Sequence, residues 1–275
     1  MSLETQIAAL VTAANNLTAA VNGKMAAIDQ KVNAATDSVP GVVRGLANQT
    51  FYIDAIDGND ANAGTSSGSP LKTAAAASAK FVSGSQVTLW FKTKQTHVVS
   101  LFMPSGRISI NTWGSADIKD PSDRATLKPM LSNLDALGNQ QLAGPGLASG
   151  QLFFTGVNII CDADSAVAMA SDASFVRYTN SHTAVMLYYC DITLGNVPFA
   201  TMYTGYSARD IYMASVNIKS KAGYEASACV LKNRNSTAPT VRFEAHAVSL
   251  SGITGGWAQL LPPKATENYL VNVTL

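Results

Sequence analysis

A short apolar–polar–apolar unit recurs through the second half of this chain, and it constrains the fold more than any other feature. The units are Val157-Asn158-Ile159, Ile192-Thr193-Leu194, Val216-Asn217-Ile218, Val248-Ser249-Leu250 and Val273-Thr274-Leu275. The spacing between their starts is uneven: 35, then 24, 32 and 25. A second apolar run precedes most of them: Leu152-Phe153-Phe154, Leu187-Tyr188-Tyr189, Ile211-Tyr212-Met213 and Tyr269-Leu270. Earlier counterparts are Val87-Thr88-Leu89 and Ile108-Ser109-Ile110. Period-two alternation in β-branched residues, bounded by Gly, Ser, Asn and Asp, reads as short strands with one buried face. A repeat of on the order of 20–30 residues is the spacing of stacked solenoid coils, in which each coil covers the apolar residues of the one before. The expected class is therefore mainly β, a right-handed parallel β-helix, with a β-sandwich as the alternative because its strands are also short and alternating.

Residues 1–39 obey a different period. Leu3, Ile7, Leu10, Ala14, Leu17 and Val21 follow one another in steps of four and three, a heptad seam. The seam continues through Met25, Ile28 and Val32 to Ala35 and Val39, with a stutter where Leu17, Val21 and Met25 are four apart twice. Asn15, Asn16, Asn22, Lys24, Asp29, Gln30 and Asn33 occupy the other face. Ser2 is placed to cap the start, and Pro40-Gly41 to end the helix. Such a helix spans roughly 55 Å. Two readings account for the seam: self-association as a coiled coil, or packing along the chain's own body. The first is expected, with the seam residues from Leu3 to Val32 as the contact. The expected divisions are a coiled-coil or attachment helix over 1–39, a linker over 40–50, and a β body over 51–275.

Composition narrows the function classes. Hydrophobic residues make up 47% and charged residues 13%, too apolar and too weakly charged for disorder. A net charge of +1 with no basic stripe argues against nucleic acid as a partner. No apolar run reaches about 18 residues, so membrane insertion is not expected, and the start lacks the basic and apolar regions of a signal peptide. Cys161, Cys190 and Cys229 show no CxxC spacing and read as small buried residues.

Few residues suggest chemistry. Only four Glu are present, Glu4, Glu225, Glu244 and Glu267. Asp162, Asp164, Asp191 and Asp210 fall at strand ends or turns, where Asx-type backbone bonds are common. Glycoside hydrolysis requires two carboxyl groups at a set separation, and no such pair is evident. His97, His182 and His246 are far apart. Asp54, Asp57, Asp60 and Asn62 offer oxygen ligands, but without EF-hand spacing they read as a turn. No cofactor, metal site or catalytic group is expected. Trp90, Trp113, Trp257, Tyr203 and Tyr206 are the candidate glycan contacts, weighed against ordinary core packing.

Two stretches resemble phage proteins. MSLETQIAALVTAANNLTAAVNGKMAAID is similar to the N-terminal segment of phage tail fibres. FYIDAIDGNDANAGTSSGSPLKTAAAAS resembles the opening of phage and bacterial right-handed parallel β-helix proteins. In these a strand is followed by an Asp/Asn/Gly turn, here Asp57-Gly58-Asn59-Asp60, then Gly64-Thr65 and Pro70-Leu71-Lys72-Thr73 leading into a short helix. Together they cover roughly a fifth of the chain. The resemblance implies a homotrimer on the phage tail, built in the host cytoplasm, whose partners are tail or baseplate proteins and host surface polysaccharide. The expected function is a structural tail-fibre subunit, not an enzyme, that attaches to the tail or baseplate and supports or mediates adsorption to the host. The alternative is a polysaccharide-degrading tailspike, a glycoside hydrolase or lyase. A bacterial adhesin or tailocin fibre shares the design, but the lack of a signal peptide weighs against secretion.

Overall fold

The structure, a computed structural model, describes residues 2–176, 183–202, 209–233, 241–261 and 269–274. It divides into two units, Met1–Ala47 and Asn48–Leu275. The first is a single helix, α1 (Leu3–Ala47), begun by the Ser2 hydroxyl, which accepts from the Thr5 amide. The helix passes through residue 40, where a linker was expected. Proline there has no N–H to donate, so one i→i−4 bond is missing while the rest of the ladder continues. Residues 40–47 are thus helical, and β1 starts at Asn48 with no linker between.

The second unit is built from β1 (Asn48–Ile53), β2 (Gln86–Lys92), β3 (Thr96–Val99), β4 (Leu101–Trp113), β5 (Ala125–Leu134), β6 (Gln140–Ala143), β7 (Pro145–Thr155), β8 (Val157–Cys161) and β9 (Thr183–Tyr188). It continues with β10 (Asp191–Leu194), β11 (Ala200–Met202), β12 (Arg209–Ala214), β13 (Asn217–Ser220), β14 (Leu231–Asn233), β15 (Val241–His246), β16 (Ser249–Ser251) and β17 (Tyr269–Val271). One sheet has eight strands in the order β1-β2-β4-β7-β9-β12-β15-β17, all parallel. A second runs β16-β13-β10-β8-β5-β3, also parallel, with β6 added antiparallel to β5. A small sheet pairs β11 with β14. Two short helices accompany them, α2 (Ala74–Ser78), capped by the Thr73 hydroxyl, and α3 (Gly256–Leu260).

The expected fold class is corrected by this arrangement. The chain is a mixed α/β protein, one long helix with separate parallel sheets, and not the mainly β, right-handed parallel β-helix anticipated. Repeat spacing speaks for parallel pairing between successive units; it fixes neither the closure nor the hand of the chain between strands. The β-sandwich alternative fails as well, because β5–β6 is the only antiparallel pair of strands among the described residues.

Register explains the core. In the eight-stranded sheet Val87, Ile108, Leu152, Val185, Ile211 and Phe243 are successive partners, every one at most 1% exposed. In the second sheet Leu127, Ile159, Ile192, Ile218 and Leu250 form the matching column. The triplets therefore stack, but with a shift: Ile192 pairs with Ile159, and Val157 has no strand partner among the triplets. Of the last unit, the described residues Val273 and Thr274 lie in no strand; β17 ends at Val271 and pairs with β15. Each fully buried aliphatic side chain contributes about 1.5–3 kcal/mol relative to exposure. Phe154, Phe175 and Phe199 fill the interior with ring centroids 6.0–6.3 Å apart.

The turns that follow β7, β9, β12 and β15 into the second sheet are built the same way. One residue adopts a left-handed backbone: Gly156 (φ 60°), Tyr189 (52°), Ser215 (55°) and Ala247 (51°). Their amides continue the ladder, Gly156 donating to Tyr188, Tyr189 to Ala214 and Ser215 to His246. A side chain in this conformation costs roughly 1–2 kcal/mol unless it is glycine. Ala247→Gly is accordingly expected to raise stability by about 1 kcal/mol, the strain relief less the added freedom of the unfolded chain. Gly156→Ala is expected to lower it, since a Cβ there meets Ile118 Cβ at 2.9 Å. Urea melts of the two variants check both signs.

His97 stands at the head of the aliphatic column, paired in register with Leu127 and 2% exposed. Its Nε2 lies 3.0 Å from the Lys92 carbonyl, its Nδ1 has no partner, and Phe91 meets its ring edge-on at 5.0 Å. Burial lowers its pKa, outweighing the Lys92 carbonyl and the nearby Asp54 carboxylate, which favour the proton. The folded chain holds His97 neutral while the unfolded chain protonates it below about pH 6.5. Stability is thus full above that pH and declines as pH falls toward 5. His97→Leu is expected to flatten that part of the stability–pH curve, measured by denaturant midpoints.

Candidate functional site

The residues between the buried columns of the eight-stranded sheet face outward, and register sets them side by side. Gln151, Ala184, Asp210 and Arg242 form one row; Phe153, Met186, Tyr212 and Glu244 form the next; Thr155, Tyr188, Ala214 and His246 form the third. Small residues at Gly150 and Ala184 leave room beside the larger ones, and a cavity of about 420 Å³ opens over β7, β9, β12 and β15. A second of about 310 Å³ shares Arg242 and Glu244 and reaches His246, Val271 and Asn272.

Aromatic rings step across this surface. Tyr188 and Tyr212 have centroids 5.6 Å apart, and Tyr212 and the His246 ring 5.4 Å. Arg242 donates from Nε to Glu244 Oε1 at 2.8 Å and from Nη2 to the same oxygen. His246 Nε2 lies 3.9 Å from the other Glu244 oxygen. At one flank the Arg107 guanidinium lies 3.9 Å from the Phe153 ring centre. The groove thus joins ring faces with a charge pair whose donors and acceptors lie side by side.

The residues singled out from the sequence fall elsewhere. Trp113 donates from Nε1 to the Ile53 carbonyl at 3.3 Å, meets Tyr52 edge-on at 5.7 Å and has Lys92 Nζ 5.0 Å from its ring centre. It belongs with Tyr52 and Trp90 to a cluster on β1, β2 and β4, the last of which borders the groove strand β7. Trp257, on α3, packs against buried Phe243 at 5.2 Å and serves the core. Tyr203 and Tyr206 lie outside the described residues, as does His182. Among the described candidates, Trp90 and Trp113 share the Tyr52 cluster and Trp257 stands apart from them on α3.

Several carboxylates have structural partners. Asp54 is 1% exposed; its oxygens accept from the Ile56 and Asp57 amides, Gln95 and Lys92. Burial alone would raise its pKa, but these donors hold it well below the usual carboxylate range. Asp60 accepts from the Lys72 and Thr73 amides and the Thr73 hydroxyl, tying the turn to α2. Asp162 pairs with Lys221 and accepts from the Asn196 amide. Asp191 binds Arg124 at 2.8 Å and accepts from Asn217 at 3.0 Å. Of the carboxylates named from the sequence, Asp210 and Glu244 line the groove.

Sequence reading missed Tyr188, Tyr212, Arg242 and Glu244 as a group. The signal was present: the offset that carries Val216 onto Val248 also carries Asp210 onto Arg242 and Tyr212 onto Glu244. Among the described residues no three His, Cys, Asp or Glu are grouped to hold a metal ion, and no helix is long and apolar enough to cross a membrane. Burial pushes the thiols of Cys190 and Cys229 up to about 11 and that of Cys161 well above its ordinary value, so all three are poor nucleophiles. Comparison with protein-family models, curated proteins and solved structures finds no match to this chain.

The Arg124–Asp191 pair ties the segment before β5 to β10, with Arg124 also donating to the Ile118 and Lys119 carbonyls. The Arg124 side chain is 3% exposed, so removing its partner strands a charge in a desolvated place. Asp191→Ala is expected to cost about 3–5 kcal/mol, read from chemical denaturation. Asp162→Ala, whose Lys221 partner is 45% exposed, is expected to cost far less.

Proposed function

We propose that this chain is a structural subunit of a phage tail fibre, trimeric through α1, that attaches to the tail or baseplate and supports or mediates adsorption to the host surface. The observation that carries the reading is the apolar seam of α1. Leu3, Ile7, Leu10, Leu17, Val21, Met25, Ile28 and Val32 are 48–71% exposed in the single chain, and Ala14 with them is exposed. A lone helix gains little from propensity and depends on burying such a face. Copies of the same helix supply a matching seam, and the heptad spacing provides the knobs. The exposed seam runs on through Val39, Val42, Val43 and Leu46, beyond the expected end. The count of three follows the tail-fibre resemblance, since the seam residues alone do not choose a strand number.

A polysaccharide-degrading tailspike is the second reading, favoured by Asp210 and Glu244 lying on adjacent strands of one face. Arg242 counts against it. Glycoside hydrolysis requires two carboxyl groups free to reach the scissile bond, and Glu244 Oε1 is already engaged by both Nε and Nη2 of Arg242.

The full chain is expected to sediment as a trimer. Leu10→Asp with Leu17→Asp is expected to release folded monomers, because a charge in a dry seam is strongly unfavourable. A trimer that survives both changes would sink the α1 assignment. Immunogold labelling of purified virions tests the location: gold at the tail is expected, and virions without label would reject the fibre role.

A further inference from the structure

We propose that the groove over β7, β9, β12, β15 and β17 is a binding site for a neutral oligosaccharide. Five adjacent parallel strands span roughly 19 Å at about 4.8 Å per step. That length suits a short chain of sugar rings better than a single one. The Tyr188–Tyr212–His246 staircase offers ring faces at successive steps, against which the apolar face of a pyranose packs. Beside it, Arg242 and Glu244 present donors and acceptors side by side, an arrangement that adjacent sugar hydroxyls can satisfy.

Other ligand classes fit less well. An extended peptide binds a sheet by adding to an unpaired edge, but β9, β12 and β15 are paired on both sides, so the groove offers only side chains. A nucleic acid requires unneutralised cations, whereas Arg242 is bonded to Glu244. The same pairing decides against an acidic sugar: its carboxylate would face Glu244 and Asp210, both lining the cavity. A lipid chain would leave these charges desolvated.

The site deepens the adsorption reading and rests on it only for the source of the ligand, a host surface glycan. The full-length chain is to be tested on an array of defined oligosaccharides: neutral hexose chains, uronic-acid chains and amino-sugar chains. Retention of neutral chains is expected, weakened about tenfold or more in Tyr212→Ala, weakened several-fold in Glu244→Gln, and kept in Tyr212→Phe, which preserves the ring. Thermal melts of each variant establish folding; if Tyr212→Ala does not fold, Glu244→Gln and Arg242→Gln decide. Absence of neutral-chain retention, retention indifferent to these changes, or retention of uronic-acid chains alone would overturn the site. Sedimentation of the same samples separates the two ideas. A trimer that binds no sugar ends this proposal and leaves the fibre reading, while a monomer that binds sugar does the reverse.

Discussion

Everything in the second unit depends on like side chains stacking in register from one parallel strand to the next. A single short strand such as Asp191–Leu194 buries only two apolar residues, far too few to offset the ordering of its backbone. Placed between β8 and β13 it gains neighbours above and below for both, and its amides and carbonyls find partners on each side. Stability is thus shared along the columns rather than concentrated in any one strand. A strand in the middle is held by both neighbours, while β16 and β17 have one each among the described strands.

The columns impose costs that recur with them. Passing from one sheet to the other in a single step requires a left-handed residue, and three of the four such positions following β7, β9, β12 and β15 carry a side chain. Polar groups near these turns are arranged in register too: Asn158, Asp191, Asn217 and Ser249 are successive partners. The Asn217 side-chain amide donates to Asp191, and the Ser249 hydroxyl donates to Asn217. Arg124 closes this ladder with a buried charge. Such a chain of bonds gives direction to surfaces that apolar packing alone leaves free to slip, since a shift by one residue would turn every side chain to the wrong face.

The groove is the other side of the same constraint. With alternate residues committed to the interior, those between them are held outward at fixed spacing on a rigid sheet, with little freedom left to lose on binding a ligand. Rings at Tyr188 and Tyr212 and the pair at Arg242 and Glu244 are brought together by register alone, although they come from three strands well separated in the chain. The exposed seam of α1 is an apolar stripe of a different period, carried by the other unit.

The amino-acid sequence by itself determined the local elements: a long helix from the heptad of Leu3 to Val32, short strands from period-two alternation, and parallel pairing from the recurring triplets. These depend on side-chain period and nearby turn residues, which a linear chain displays. It misled at Pro40, where a usual helix stop was overridden by continued helical backbone, and in the fold class, because repeat spacing is silent on how strands divide between sheets. Aromatic residues chosen by type alone, such as Trp113 and Trp257, make their ring contacts with Tyr52 and Phe243 and not with the groove rings. Only the tertiary structure decided the register, Ile192 on Ile159 rather than on Val157, and with it which outward residues share a surface. The reason is physical: register is the sum of many weak contacts across strands far apart in the chain, and no single segment contains it.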